Sequence, residues 1–135
     1  MRKPSGFNLF ELMITIIIVS ILSALAIPLY STHLVHAKRF EAQLNLIKLA
    51  EALEQYYLIH NTYEKATLTQ LNFPEKIADN KYQLVITTAT VSDFSLNAIP
   101  LGKQAKKDAS CGTLTLDSFG KKGIMGGGDL ADCWN

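Results

Sequence analysis

One carboxylate stands where a carboxylate is costly. Glu11 lies five residues after Gly6, inside a run that is otherwise apolar from Phe7 to Leu29. An acid at the centre of a membrane helix costs about 2.5–3.5 kcal/mol, and each Leu, Ile, Val or Phe returns about 0.3–0.6 kcal/mol. The run holds fourteen such residues, worth about 4–8 kcal/mol together. Insertion therefore outweighs the acid, and an ionisable group carried into lipid is a functional site that needs a partner.

The remaining reactive side chains are few. Cys111 and Cys133 are the two cysteines. If their part of the chain is exported, an oxidising compartment favours one disulfide between them; otherwise they are buried thiols. A bridge over about 22 residues is worth roughly 3 kcal/mol. Lys103, Lys106, Lys107, Lys121 and Lys122 form a basic set near the aromatic residues Phe119 and Trp134. Such a set suits phosphate contacts and base stacking, although Asp108, Asp117, Asp129 and Asp132 are interspersed. Gly126-Gly127-Gly128 lacks the Lys-Ser/Thr of a phosphate loop. Asp129 and Asp132 offer a calcium ion two carboxylates where it wants six to eight oxygens. His33, His36 and His60 have no carboxylate–cysteine set beside them. No enzyme, cofactor or metal is expected.

These groups need elements to hold them. Residues 7–29 are long enough as a helix, at about 35 Å, to cross a hydrocarbon core of about 30 Å. Arg2 and Lys3 precede it as a cytoplasmic anchor under the positive-inside rule. Pro28 removes one backbone donor near its end. A rival reading treats the run as a secretory signal cut at Ala24-Leu25-Ala26, so that the mature chain begins at Ile27. Residues 30–60 continue as an amphipathic helix. Leu46, Leu49, Ala50, Leu53, Tyr56 and Tyr57 share one face, while Phe40, Leu44, Ile47 and Leu58 lie on a neighbouring one. Either the two faces form one broad core stripe, or Leu46, Leu53 and Tyr57 pack on the protein's own sheet and Phe40, Leu44 and Ile47 meet neighbouring subunits. Asn61 stops the helix.

Residues 61–80 are turn-rich, with a short helical turn expected over Thr67–Leu71. The period then changes to two. Tyr82, Leu84, Ile86 and Thr88 alternate with Gln83, Val85 and Thr87, and Phe94, Leu96 and Ala98 follow after Val91-Ser92-Asp93, which reads as an antiparallel hairpin. Residues 101–109 are expected as a lysine-bearing loop and 111–116 as a third strand. Asp117 to Gly120 forms a turn, 121–125 a short fourth strand, and 126–129 a flexible glycine loop. The fold class is α+β.

Gly6, Phe7 and Glu11 in front of an apolar run resemble the class III signal of type IV pilins and pseudopilins, with Asn8 and Phe10 as mild departures. Pro28 matches a proline common in that family's membrane helix. Gln55-Tyr56-Tyr57, Cys111-Gly112-Thr113-Leu114-Thr115-Leu116 and Cys133-Trp134 resemble PilE-like minor pilins. The resemblance implies a 1–6 leader, a transmembrane half at 7–29, an amphipathic half at 30–60 and a globular head at 61–135. It implies a three- to four-stranded antiparallel sheet under the helix and a C-terminal disulfide loop. It also implies cleavage after Gly6 by a prepilin peptidase, N-methylation of Phe7, and pairing of Glu11 with the Phe7 amine of a neighbouring subunit. The expected partners are other pilin subunits and the inner-membrane assembly platform. The precursor would sit in the inner membrane with its head in the periplasm, before joining a surface filament. The alternatives are a DNA-binding competence pilin (ComP-like), using the five lysines, and a secretion-system pseudopilin.

Residues 1–6 carry Arg2 and Lys3, so their removal takes the formal charge from +1 to −1, with 11 basic against 12 acidic side chains left. Nothing in that balance demands nucleic acid.

Overall fold

The computed structural model describes residues 6–134; the leader residues 1–5, with Arg2 and Lys3, and Asn135 lie outside the described residues. One helix, α1, spans Leu9–His60, and the chain divides into two compact units, 1–34 and 35–135.

The first unit holds the apolar part of α1. Its large side chains, from Phe7 to Tyr30, are exposed, and the helix is long and apolar enough to cross a membrane. Thr15, Ser20 and Ser23 each donate a hydroxyl to the carbonyl four residues back, at 2.7 Å. Their polar groups are thus satisfied within the helix, as lipid requires. Thr32 Oγ1 donates likewise to the Pro28 carbonyl, at 3.2 Å.

The second unit packs the rest of α1 on a five-stranded antiparallel sheet, β1 (Lys76–Ile77), β2 (Tyr82–Ala89), β3 (Phe94–Pro100), β4 (Leu114–Asp117) and β5 (Lys122–Ile124), in spatial order β1-β2-β3-β4-β5. Every neighbour in this order is also a neighbour in sequence, so the sheet is a meander with local contacts. The core joins Ala42, Leu46, Leu49 and Leu53 to the inward residues of the strands, chiefly Tyr82, Leu84, Phe94, Leu96, Ala98, Leu114 and Leu116. Ala50, Tyr56 and Tyr57 pack at its margin. Phe40, Leu44, Ile47 and Leu58 stay exposed on the helix's other apolar face.

Several local expectations need correction. The sheet has five strands where three or four were expected, because the two-residue β1 is too short to show any period. Alternation holds in β2 as far as Ile86; a bulge between Ile86 and Thr88 then makes Ala89, not Thr88, pack on the core. Cys111 to Thr113 precede β4 rather than forming it. Asp108 draws the chain into a turn there, its carbonyl accepting from the amides of Cys111 and Gly112. Residues 102–107 form a short helix, α2 (Gly102–Lys107), where a loop was expected. Gly102 enters it at φ +54° and Gln104 is its one buried residue, so burial and not periodicity defines it. The glycine loop is held rather than loose. The Gly126 and Gly128 amides donate to the carbonyls of Cys111 and Ser110, at 3.0 and 2.8 Å. A side chain at either glycine would collide with that backbone. The loop leads into α3 (Leu130–Cys133), capped by Asp129 Oδ1, which accepts from the Ala131 amide at 3.1 Å. Thr67–Leu71 is a hydrogen-bonded turn without a full helix, and Asn61 ends α1 at φ +56°.

Tyr63 closes the core beyond the end of α1. It stacks on Tyr57, meets Phe94 edge-on, and donates its hydroxyl to Glu54 at 2.9 Å. Burial, helped by that carboxylate, pushes the Tyr63 phenol up to about 12 from 10.0. The folded chain therefore keeps the proton where the unfolded chain loses it. Stability should be unaffected by this group below pH 10 and should fall as pH rises towards about 12. Alkaline unfolding of the wild type against Tyr63→Phe checks this, the phenylalanine variant losing that slope.

Candidate functional site

The amino-terminal segment is an unpartnered surface. Gly6 and the side chains of Phe7 and Glu11 are exposed, and Glu11 has no ion pair or side-chain hydrogen bond among the described residues. A Cβ built on Gly6 would meet nothing within 4 Å. Nothing in this chain's own packing thus requires glycine there, and any requirement must come from what handles the segment. Pro28 sits within α1, which continues across it.

The head contributes a second, buried arrangement. Arg39 lies on the same helix stripe as Ala42, Leu46, Leu49 and Leu53, where an apolar residue would be expected. Its Nη1 donates to Asp108 Oδ1 at 2.5 Å and approaches Cys111 Sγ at 3.0 Å. Asp108 Oδ2 accepts from the Tyr82 hydroxyl at 2.9 Å. Gln104 Nε2 donates to that hydroxyl oxygen at 3.2 Å and to the Val35 carbonyl at 3.0 Å. Arg39 Nη2 donates to His36 Nδ1 at 2.6 Å, which assigns the imidazole proton to Nε2. Gln43 Nε2 donates to the Cys133 carbonyl at 2.5 Å. Burial pushes the Tyr82 phenol well above its ordinary range, so it stays a donor.

The disulfide Cys111–Cys133 lies directly on this network. Together the pair, the amides and the bridge fasten α2, the segment before β4 and α3 to about two turns of α1, from Val35 to Gln43. None of this was anticipated from the residues alone except the bridge. The available signal was an arginine interrupting an apolar stripe, which called for a buried acid without saying which one.

The five lysines do not form one patch. Lys103, Lys106 and Lys107 are on α2, beside the Pro100 end of β3 and Lys81, whose carbonyl accepts from the Leu101 amide at 2.8 Å. Lys121 and Lys122 follow the β4–β5 turn, and Lys122 pairs with Leu116 in the register that runs on to Leu96 and Ile86. They are separated from α2 both along the strands and across them. Trp134 is not available for stacking on bases, because it is buried, donates Nε1–H to the Gly123 carbonyl at 2.9 Å and is covered by Lys122 Nζ. Phe119, by contrast, is 85% exposed at the turn.

The other apolar face of the helix borders a shallow groove. Ile47, Ala50 and Glu51 of α1 face Phe94 and Leu116 of the sheet across it. Exposed Phe40 and Leu44 extend the same apolar surface along the helix.

A family model described as "Type IV minor pilin ComP, DNA uptake sequence receptor" matches residues 28–115. A type IV major pilin protein PilE1 of Neisseria gonorrhoeae is 34% identical over 106 residues, covering 73% of this chain and 59% of its own length. A type II secretion system core protein G of Aeromonas hydrophila is 36% identical over 62 residues, covering 46% of this chain and 43% of its own. The chain thus spans less than two thirds of the length of the curated relatives it matches. In structure, the Neisseria meningitidis non-core minor pilin PilV is similar with a TM-score of 0.56 at 19% identity, covering 70% of this chain and 90% of that one. That likeness concerns the fold: a helix on an antiparallel sheet.

Proposed function

The chain belongs to the type IV pilin family, matching its ComP minor-pilin model, and on that premise we propose that it is a minor subunit of a type IV pilus. Its role is structural and no catalytic step is assigned to it. A prepilin peptidase cuts after Gly6, Phe7 becomes the N-methylated first residue, and the exposed apolar helix passes from the inner membrane into the filament. The single observation that carries this reading is a long helix, apolar and wholly exposed over its first half, that bears one unpartnered acid. Such a surface has two stable surroundings, lipid and other helices of its own kind. The acid favours the second, because a neighbouring subunit can meet it with a fixed cation, whereas in lipid it must snorkel to the headgroups.

Within this reading Phe7 supplies the cation, Glu11 the anion, and Pro28 a helix position free of a backbone donor. Phe40, Leu44 and Ile47 meet adjacent subunits. The assembly platform of the inner membrane and the other pilins are the partners, and the disulfide-clipped head faces the periplasm until assembly. Amino-terminal sequencing of the mature chain tests the first step. It should begin at Phe7; a start at Ile27 would make the segment an ordinary secretory signal.

A second reading has its own support. The matching family model carries a DNA uptake receptor in its description, which favours a DNA-binding competence pilin. In this chain the α2 lysines and the separate Lys121, Lys122 and Phe119 are the groups that such binding would use. Each phosphate contact releases counterions, so binding would weaken steeply with salt. The head fragment should then shift DNA at low salt, and Lys103→Gln with Lys106→Gln should reduce the salt slope by about two contacts. No shift at low salt would leave the structural role alone.

A further inference from the structure

The α2 lysines stand at a particular place in the chain. The buried amide of Gln104 donates to the carbonyl of Val35 at 3.0 Å and ties the inner side of α2 to the first turn of α1 in the head unit. Val35 follows Leu29, the last residue of the apolar run, by six residues. Six residues reach about 9 Å as helix and at most about 20 Å fully extended. Whatever the arrangement of the two units, α2 is therefore leashed close to the bilayer whenever the apolar run is inserted.

What α2 turns outward is basic. Lys103 and Lys106 are exposed, and Lys81 adjoins the start of α2 through its carbonyl. Lys38, one turn beyond Val35, forms an ion pair with Asp79 and a second one with Glu41 at 3.3 Å. Lys38, hydrogen-bonded to Asp79, holds that carboxyl below its usual range. Asp108 is buried against Arg39 and does not face this surface. The outward groups thus leave a net positive face, with no large exposed apolar residue in α2 itself.

We propose that this face docks on anionic phospholipid headgroups of the membrane that anchors the chain, and so holds the head against the bilayer before assembly. The proposal rests on the apolar run spanning that membrane. A basic side chain near an anionic surface gains enough for a roughly fivefold rise in local occupancy, and the effect fades within a Debye length, about 8 Å at physiological salt. The leash to Leu29, about 9 Å long as helix, keeps α2 near the headgroup layer, where Lys103 and Lys106 can come within such reach. Lys65 and Lys121 lie at the far end of the head, near the C-terminus of α1 and the β4–β5 turn, and provide an internal comparison.

The test uses the full chain in two sets of vesicles, phosphatidylcholine alone and phosphatidylcholine with phosphatidylglycerol. Retention after an alkaline wash reports membrane insertion separately, so loss of retention counts against the spanning helix and not against docking. In retained protein a membrane-impermeant amine reagent is read by mass spectrometry. Lys103 and Lys106 should react about three- to fivefold more slowly in the anionic vesicles, with Lys65 and Lys121 unchanged and the difference lost at high salt. In Lys103→Glu with Lys106→Glu, the corresponding protection of Lys81 should disappear. Equal rates in the two lipids, or equal slowing at all four lysines, would overturn the proposal. Protection of Lys103 and Lys106 by added duplex DNA in neutral vesicles, without protection by anionic lipid, would overturn it too and assign the face to nucleic acid.

Discussion

Glu11→Val is expected to leave processing intact and to remove the chain from fibres. Two effects push the same way. In the bilayer the carboxylate costs at most the helix-centre value of about 2.5–3.5 kcal/mol, and less this near the end of the run, and valine removes that cost. In the filament proposed here the glutamate would answer a buried ammonium on a neighbour, and removing one partner of such a pair costs about 3–5 kcal/mol because the other is left uncompensated. Loss of the pair alone lowers the ratio of filament to membrane protein about a hundredfold or more. The intact pair contributes register more than net stability, since desolvation of both charges offsets much of their attraction. The check is the amount of the chain in sheared fibres relative to the membrane fraction, with the mature terminus sequenced in both. Glu11→Gln separates charge from shape and should behave like valine. A normal ratio for either variant would remove the assembly role assigned to this acid.

Asp108→Asn should destabilise the head by about 3–5 kcal/mol, a large part of a typical domain's total. Asp108 and Arg39 are nearly inaccessible to water, at 2% and 4% exposure. The asparagine would leave the guanidinium with no anion and would weaken the bonds from Tyr82 and Gln104. All partners of the network lie within the compact unit 35–135, so a soluble fragment covering it is suited to denaturant unfolding. Replacing both ions, by Arg39→Met with Asp108→Leu, should recover most of the loss, because no charge is then buried alone. The recovery stays incomplete to the extent that the Tyr82 hydroxyl loses its acceptor. A midpoint for Asp108→Asn within experimental error of the wild type would mean that the pair is solvated and holds nothing.

The network also explains why the disulfide is placed where it is. Cys111 directly follows the Asp108 turn and Cys133 ends α3, and both are covered by Arg39 and Gln43 of the helix. The bridge closes a loop of 22 residues, which contains β4, β5 and the glycine loop. The clip and the ion pair therefore hold the same edge of the sheet against α1, and loss of either should loosen the C-terminal strands before the β2–β3 hairpin.

Much of this molecule can be read from local pattern. The apolar run with its single acid, the stripe of Leu46, Leu49 and Leu53, the stop at Asn61 and the alternation through Tyr82, Leu84, Phe94, Leu96 and Ala98 each depend on neighbours in the chain. Their periods follow from helix and strand geometry, so residue order alone determined them. Two cysteines allow one pairing, so the identity of the bridge needed no structure either. Tertiary structure alone decided the rest. Arg39 and Asp108 are 69 residues apart and Gln43 and Cys133 are 90 apart, and no period links such positions. The helical state of α2 depends on burying Gln104 beneath Tyr82 and Val35. The separation of the lysines into two groups depends on strand register, and the withdrawal of Trp134 from solvent on the Gly123 carbonyl. A local repeat reports which face of an element turns inward; only packing decides what that face meets, because the partner is brought there by the rest of the chain.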